Sequence, residues 1–218
     1  DNMIMNMEEM LKKAQSGKYA VPQFNVNNLE WAKFILEECE ANKSPVILGI
    51  SEGAIKYMGG YKTVANMLKA LIADLKITIP VAIHLDHGSS VESCLSAISA
   101  GFSSVMIDAS RNSLDLNIEL TSKVVKVAHK YSVTVESEVG TISGSEDSIT
   151  GSETFATIEE CMAMYNKTKI DALAPALGSV HGLYKGEPKL DFDRMRQIQA
   201  LTNLPLVLHG GSGIPDEL

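Results

Sequence analysis

Apolar residues fall into two rhythms along this chain. Short runs rich in β-branched residues recur at 19–25, 45–51, 81–87, 104–110, 134–139, 172–179 and 204–209, and predict seven strands. Between them the apolar positions move to helical spacing: Leu29, Ala32, Leu36 and Cys39, then Val64, Met67, Leu68, Leu71, Ile72 and Leu75, then Val91, Cys94, Leu95 and Ile98. Leu120, Val124 and Val127 continue that spacing, as do Met195, Ile198 and Leu201, so helix and strand alternate throughout.

Such alternation implies parallel strands joined by right-handed crossovers, in either an open doubly wound sheet or a closed barrel. The polar residues separate the two. Nearly every predicted strand ends in a hydrogen-bonding or ionisable side chain: Asn25, Ser51, Asp86 with His87, Asp108, Glu136 with Glu138, His181 just past its strand, and His209. An open sheet gathers ligands at its switch point, whereas a barrel brings all its C-terminal strand ends to one mouth. The expected fold class is therefore α/β, a (β/α)8 TIM barrel forming a single domain over 1–218. No eighth strand is legible in the chain, which is expected to be C-terminally incomplete. The stretch 141–154, rich in Gly, Ser and Thr, is the one long loop, placed where barrel enzymes keep mobile loops.

Composition narrows the partners. With 218 residues, 45% of them hydrophobic, the chain can bury one sizeable core. Its longest apolar runs, at 45–50 and 81–85, are far below the roughly 20 residues that cross a bilayer, so a cytoplasmic protein without membrane contact is expected. Cys39, Cys94 and Cys161 show neither paired spacing nor an even count, and read as helix packing residues rather than a disulfide framework. A net charge of −8 repels a phosphate backbone and argues against nucleic acid. Any phosphorylated ligand must then be held by a local constellation.

Four of the five histidines, His84, His87, His181 and His209, fall at or just beyond strand ends. One such histidine is as readily a hydrogen-bonded core residue; three strands each delivering one to the same rim point to metal. Three neutral imidazoles with an open fourth position make a catalytic zinc site. Asp86, beside a candidate ligand, suits an orienting carboxylate or an acid/base. Glu136 and Glu138 share one strand face, where a nearby cation would offset their desolvation. His129, in the last turn of a predicted helix, is assigned no function. Gly178-Ser-Val-His-Gly182 and His209-Gly-Gly-Ser-Gly213, which contains Gly210, Gly211 and Ser212, are dense enough in glycine for backbone N–H groups to approach an anion. Lys185 offers a positive charge nearby, and Glu146 by pattern alone is a loop acid.

Val81-Ala-Ile-His-Leu-Asp-His-Gly88, Glu136-Ser-Glu-Val-Gly140, Ala174-Pro-Ala-Leu-Gly-Ser-Val-His-Gly182 and Leu208-His-Gly-Gly-Ser-Gly213 are co-linear motifs, supported by Gln23-Phe-Asn-Val-Asn27 and Ser44-Pro-Val-Ile-Leu-Gly-Ile-Ser-Glu-Gly53. Through them the sequence resembles the class II fructose-bisphosphate and tagatose-bisphosphate aldolases over nearly its whole length. The resemblance implies a zinc-dependent aldehyde-lyase of glycolysis, acting on a small phosphorylated sugar, with fructose 1,6-bisphosphate the expected substrate. It implies that His87, His181 and His209 hold Zn2+, that Asp86 is the acid/base at the C4 hydroxyl, and that Glu146 is a mobile-loop base. Glu138 resembles the family's buried carboxylate near the metal, and His84 a neighbouring residue rather than a ligand. Gly182, Gly211 and Ser212 resemble the family's phosphate-binding positions, beside a monovalent Na+ or K+, and Asn25 and Ser51 resemble its substrate contacts; Gly210 and Lys185 join the phosphate set from their place in the sequence alone. A homodimer or homotetramer is implied in the same way.

The chain departs from that pattern at Ser110-Arg-Asn-Ser-Leu-Asp-Leu-Asn117, where many relatives carry histidine and proline after the serine, and at Pro22 and Leu183. Tagatose-bisphosphate aldolase is the nearest alternative, and a deoxy-gluconate phosphate aldolase a third; motifs around the metal do not separate them. A zinc hydrolase would announce an H-x-H pair on its first strand, and 19–25 has no histidine. A Schiff-base aldolase needs a lysine at a strand end, and none of the seven predicted strands has one. A catalytically silent metal-binding barrel is the non-enzymatic alternative, against which the retention of Asp86 with Glu146 speaks.

Overall fold

The structure, a computed structural model, describes residues 4–144, 155–184 and 186–218. It forms two compact units: Asp1–Ile107 with Lys123–Val135, and Asp108–Ser122 with Glu136–Leu218.

Unit 1 layers helices on a parallel sheet. Its strands β1 (Gln23–Asn25), β2 (Val46–Ser51), β3 (Val81–Gly88) and β4 (Ser104–Ile107) are joined by α2 (Leu29–Ala41), α3 (Glu52–Met58), α4 (Tyr61–Asp74) and α5 (Val91–Ala100). Gln23 pairs with Ile47, and β2 runs beside β3 from Val46 opposite Val81 to Ser51 opposite Asp86. Sequence neighbours are sheet neighbours, the order of a β/α barrel rather than of a sheet that reverses at a switch point. Residues Val81 to Asp86 of β3 are all buried, because both faces of the sheet are covered.

The helix α1 (Met7–Gly17) was not anticipated from periodicity. Asn6 caps it, its Oδ1 accepting from Glu8 N–H, and Met7 N–H donates to Thr134 Oγ1. Met5 N–H reaches Val81 O at 2.9 Å, so α1 is seated beside the N-terminal end of β3 and buries Met7, Met10 and Ala14. Strand β5 (Thr134–Val139) begins in unit 1, where Thr134 N–H donates to Ser103 O, and continues into unit 2. Helix α6 (Leu114–Lys130) likewise contributes to both.

Unit 2 holds the rest of β5, then β6 (Ser143–Gly144), α7 (Ile158–Thr168), β7 (Ala172–Pro175), β8 (Val180–His181) and α8 (Phe192–Thr202). β5 pairs with β7 from Glu136 opposite Ala172 to Val139 opposite Pro175. Here the strand expectations need correction. The run 172–179 stops at Pro175, and His181 falls on the separate β8, which pairs with β6 at the start of the 141–154 stretch. The run 204–209 forms one isolated bridge, Leu206 to Leu173, rather than a strand. Pro205 contributes its carbonyl to Leu173 N–H but has no N–H of its own to extend the ladder.

All three cysteines are buried on helices, as their spacing suggested. Burial pushes the Cys94 and Cys161 thiols up to about 12, so both stay protonated at neutral pH. Among the described residues no helix is long and apolar enough to cross a membrane.

Candidate functional site

Unit 1 presents its polar residues at the C-terminal ends of neighbouring parallel strands. Asn25 ends β1 and is exposed; Ser51 ends β2 in register with Asp86. The Ser51 hydroxyl caps α3, accepting from Ala54 N–H at 3.1 Å. His84 is fully buried, with Nδ1 2.7 Å from Ser104 Oγ. That places it as a hydrogen-bonded residue beneath the strand end.

Asp86 is 3% exposed. Its Oδ1 accepts from Gln23 Nε2 at 3.2 Å and lies 3.9 Å from His87 Nε2. Strict alternation would send Asp86 and His87 to opposite faces. The pairing of β3 with β4 instead slips between Leu85 and Gly88, so that three steps on β3 span two on β4, and His87 takes a left-handed φ of 46°. This bulge re-aims the two adjacent side chains. The turn that follows is anchored: Glu52, at the start of α3, accepts from Ser89 N–H and Ser89 Oγ at 3.0 Å each, and from Ser93 Oγ. Ser93 Oγ in turn lies 2.5 Å from the Tyr61 hydroxyl, whose pKa burial raises.

Unit 2 brings Glu136, Glu138, His181 and His209 into a second constellation. His209 donates Nε2–H to Oε1 of the fully buried Glu136 at 2.8 Å. A carboxylate on Nε2 fixes the tautomer and leaves the Nδ1 lone pair for a metal. The His181 ring lies 5.6 Å from that of His209, and a nitrogen of each comes within 4.8 Å of the other. Both imidazoles are 7% exposed.

Backbone and side chain cooperate to set that spacing. Gly210 has φ 73°, and a Cβ there would collide with the Val180 carbonyl oxygen, so only glycine lets the two segments approach. The Tyr184 hydroxyl fastens them, accepting from Val180 N–H at 3.2 Å and donating to Gly210 O at 2.8 Å. Two buried imidazoles, one of them oriented by a carboxylate, are a donor set that fits zinc.

Ser110 Oγ lies 2.8 Å from Glu138 Oε2 and 2.7 Å from Asp108 Oδ1. One hydroxyl carries one proton and serves one carboxylate at a time. Ile142 N–H also reaches Glu138 Oε2, at 3.4 Å. Gly182 has a left-handed φ of 83°, and Gly211 and Ser212 lie exposed in the short 3-10 turn Gly211–Gly213. Glu146 and Lys185 lie outside the described residues.

Gln23, Glu52 and Tyr184 were given no role by sequence reasoning, and Glu136 no specific partner. Gln23 and Glu52 lay inside recognised motifs. Tyr184 had no periodicity to mark it. A cavity of about 560 Å³ in unit 1 is lined by Gly59, Gly60, Tyr61, Leu95 and Ser99 among others.

The sequence matches the family described as Fructose-bisphosphate aldolase class-II over residues 5–218. A fructose-bisphosphate aldolase of Geobacillus stearothermophilus is 59% identical over 215 residues, spanning 98% of this chain and 75% of that protein. A 6-phospho-5-dehydro-2-deoxy-D-gluconate aldolase of Halalkalibacterium halodurans is 51% identical over 213 residues, 98% of this chain and 74% of the other. Among solved structures, the YdjI aldolase of Escherichia coli K12 aligns with a TM-score of 0.86 at 31% identity, covering 98% of this chain and 75% of that one.

Proposed function

We propose, from the premise that this chain belongs to the class II fructose-bisphosphate aldolase family, that it reversibly cleaves fructose 1,6-bisphosphate to dihydroxyacetone phosphate and glyceraldehyde 3-phosphate with the help of zinc. The observation that carries the reading is the buried pair His181 and His209 with Glu136 on His209 Nε2. His87, which stands in the family's motif beside Asp86, completes a set of three imidazoles.

Zinc, when bound, draws electron density from the substrate carbonyl and stabilises the charge left on carbon as the C3–C4 bond breaks. Asp86 takes the proton of the C4 hydroxyl. The O–H electron pair becomes the second bond of the aldehyde carbonyl, the C3–C4 bond opens, and its electron pair stays on C3. Glu146 exchanges the proton at that carbon. Glu138 would stand near the metal as the family's buried carboxylate, and His84 would be a neighbouring residue rather than a ligand. Gly182, Gly210, Gly211, Ser212 and Lys185 hold phosphate through backbone N–H groups and one positive charge, beside Na+ or K+. Asn25 and Ser51 contact the substrate. The family also supports a cytoplasmic homodimer or homotetramer.

The 51% identity to a deoxy-gluconate phosphate aldolase favours one second reading, a different ketose phosphate on the same machinery. Triose-phosphate release should be measured from fructose 1,6-bisphosphate, tagatose 1,6-bisphosphate and 6-phospho-5-dehydro-2-deoxy-gluconate, before and after EDTA and after zinc return. Cleavage of the fructose ester that EDTA abolishes and zinc restores is the expected result. Preference for another ester replaces the substrate; EDTA-insensitive cleavage, or none by folded zinc-loaded protein, overturns the reading.

A further inference from the structure

Gln23 stands on β1, two strands away from Asp86 on β3, yet its amide reaches Asp86 Oδ1 at 3.2 Å. Between them lies Gly49 of β2. A Cβ built on Gly49 would fall 2.7 Å from Gln23 Nε2 and 3.2 Å from its Cδ and Cγ. The glutamine side chain therefore lies in the space that any other residue at 49 would fill. Gly49 is buried and has no positive φ, so backbone conformation gives no reason for glycine there. Room for the glutamine does.

Asp86 has few other restraints. Among the described residues, its other polar neighbour is the adjacent His87 Nε2 at 3.9 Å, beyond hydrogen-bond distance. It stands at the bulge, where the β3 to β4 pairing slips, so the ladder alone fixes its carboxylate less firmly than the residues before it. One donor on Oδ1 holds the carboxylate plane and leaves Oδ2 for the substrate.

We propose that Gln23 is a positioning residue that orients Asp86, and that Gly49 is glycine to give its side chain passage. The inference rests on the reading of Asp86 as the group that takes the C4 hydroxyl proton. It predicts a selective defect. Cleavage requires Asp86, but proton exchange on carbon in dihydroxyacetone phosphate alone does not, since that molecule has no C4.

Zinc-loaded wild type, Gln23→Met, Gly49→Ala and Asp86→Asn are compared for kcat and KM of cleavage and for solvent deuterium exchange into dihydroxyacetone phosphate. Gln23→Met keeps length and removes the donor; Gly49→Ala keeps the donor and displaces it. Both are expected to lower cleavage kcat on the order of tenfold, the worth of one hydrogen bond to a charged group, with KM and deuterium exchange within about twofold of wild type. A merely structural defect would depress both reactions together. If Asp86→Asn loses cleavage selectively while Gln23→Met and Gly49→Ala do not, the positioning role is overturned. If Asp86→Asn itself spares cleavage, the underlying reading of Asp86 fails instead.

Discussion

In unit 1, Asp86 and His87 stand near the end of an eight-residue strand whose residues Val81 to Asp86 are each paired with β2. In unit 2, His181 belongs to a two-residue strand and His209 follows a single bridge. The first region places its chemistry by ladder register and modifies it with one bulge. The second lacks enough ladder to do so, and substitutes a glycine contact, a tyrosine hydroxyl and a carboxylate on an imidazole. Regular structure is a cheap way to fix a side chain, and where it is short, specific polar contacts must replace it.

The contrast can be broken by experiment. Glu136→Gln keeps the volume beside His209 but replaces the carboxylate, and should weaken zinc binding by about 10–100-fold in chelator competition, the range typical of groups that orient a metal ligand. Unchanged affinity would mean that unit 2 holds its imidazoles without that pair. Glu52→Ala in unit 1 removes the acceptor for Ser89 N–H, Ser89 Oγ and Ser93 Oγ. It should lower the stability of the metal-free protein by about 1–2 kcal/mol in urea denaturation while weakening zinc less than Glu136→Gln does, because the ladder beneath the turn remains. The opposite ranking for zinc would show that the turn, not the strand, fixes unit 1.

The smallest effect concerns Glu40, which accepts from Thr78 Oγ1 at 2.6 Å, Thr78 N–H at 3.0 Å and Ile79 N–H at 3.1 Å, just ahead of β3. The Thr78 hydroxyl and backbone donors, with Lys43, hold its carboxyl down to about 2. A depressed folded-state pKa stabilises fully above the ordinary glutamate range, progressively less as the pH falls through it, and not at all below about 2. Glu40→Gln should therefore flatten part of the acid side of a melting temperature profile and leave the neutral side with only the loss of the charged acceptor. An acid limb identical to wild type would remove Glu40 from the account.

How much could be read in advance differs by region in the same way. Short β-branched apolar runs located β2, β3 and β5, which are buried on both faces, and helical spacing located α2, α4 and α5, which each bury one face. Helix α1 escaped notice although Met7, Met10 and Ala14 recur at helical spacing. The run 204–209 looked like a strand because its composition is that of one, but composition says nothing of whether Pro205 will be asked for an N–H. The histidines were legible as candidates from their place after apolar runs. Their partners were not, since Gln23 with Asp86, and Glu136 with His209, lie 63 and 73 residues apart.

Residue order alone carried the alternation of strand and helix, the family, and the residue types able to bind metal and move protons, because these depend on local periodicity and on motifs a few residues long. The slip that turns His87, the glutamine laid across Gly49, and the tyrosine that ties Val180 to Gly210 required the folded chain. Each depends on the separation of atoms distant in sequence, and a hydrogen bond tolerates errors of only a few tenths of an ångström, far finer than any pattern along the chain records.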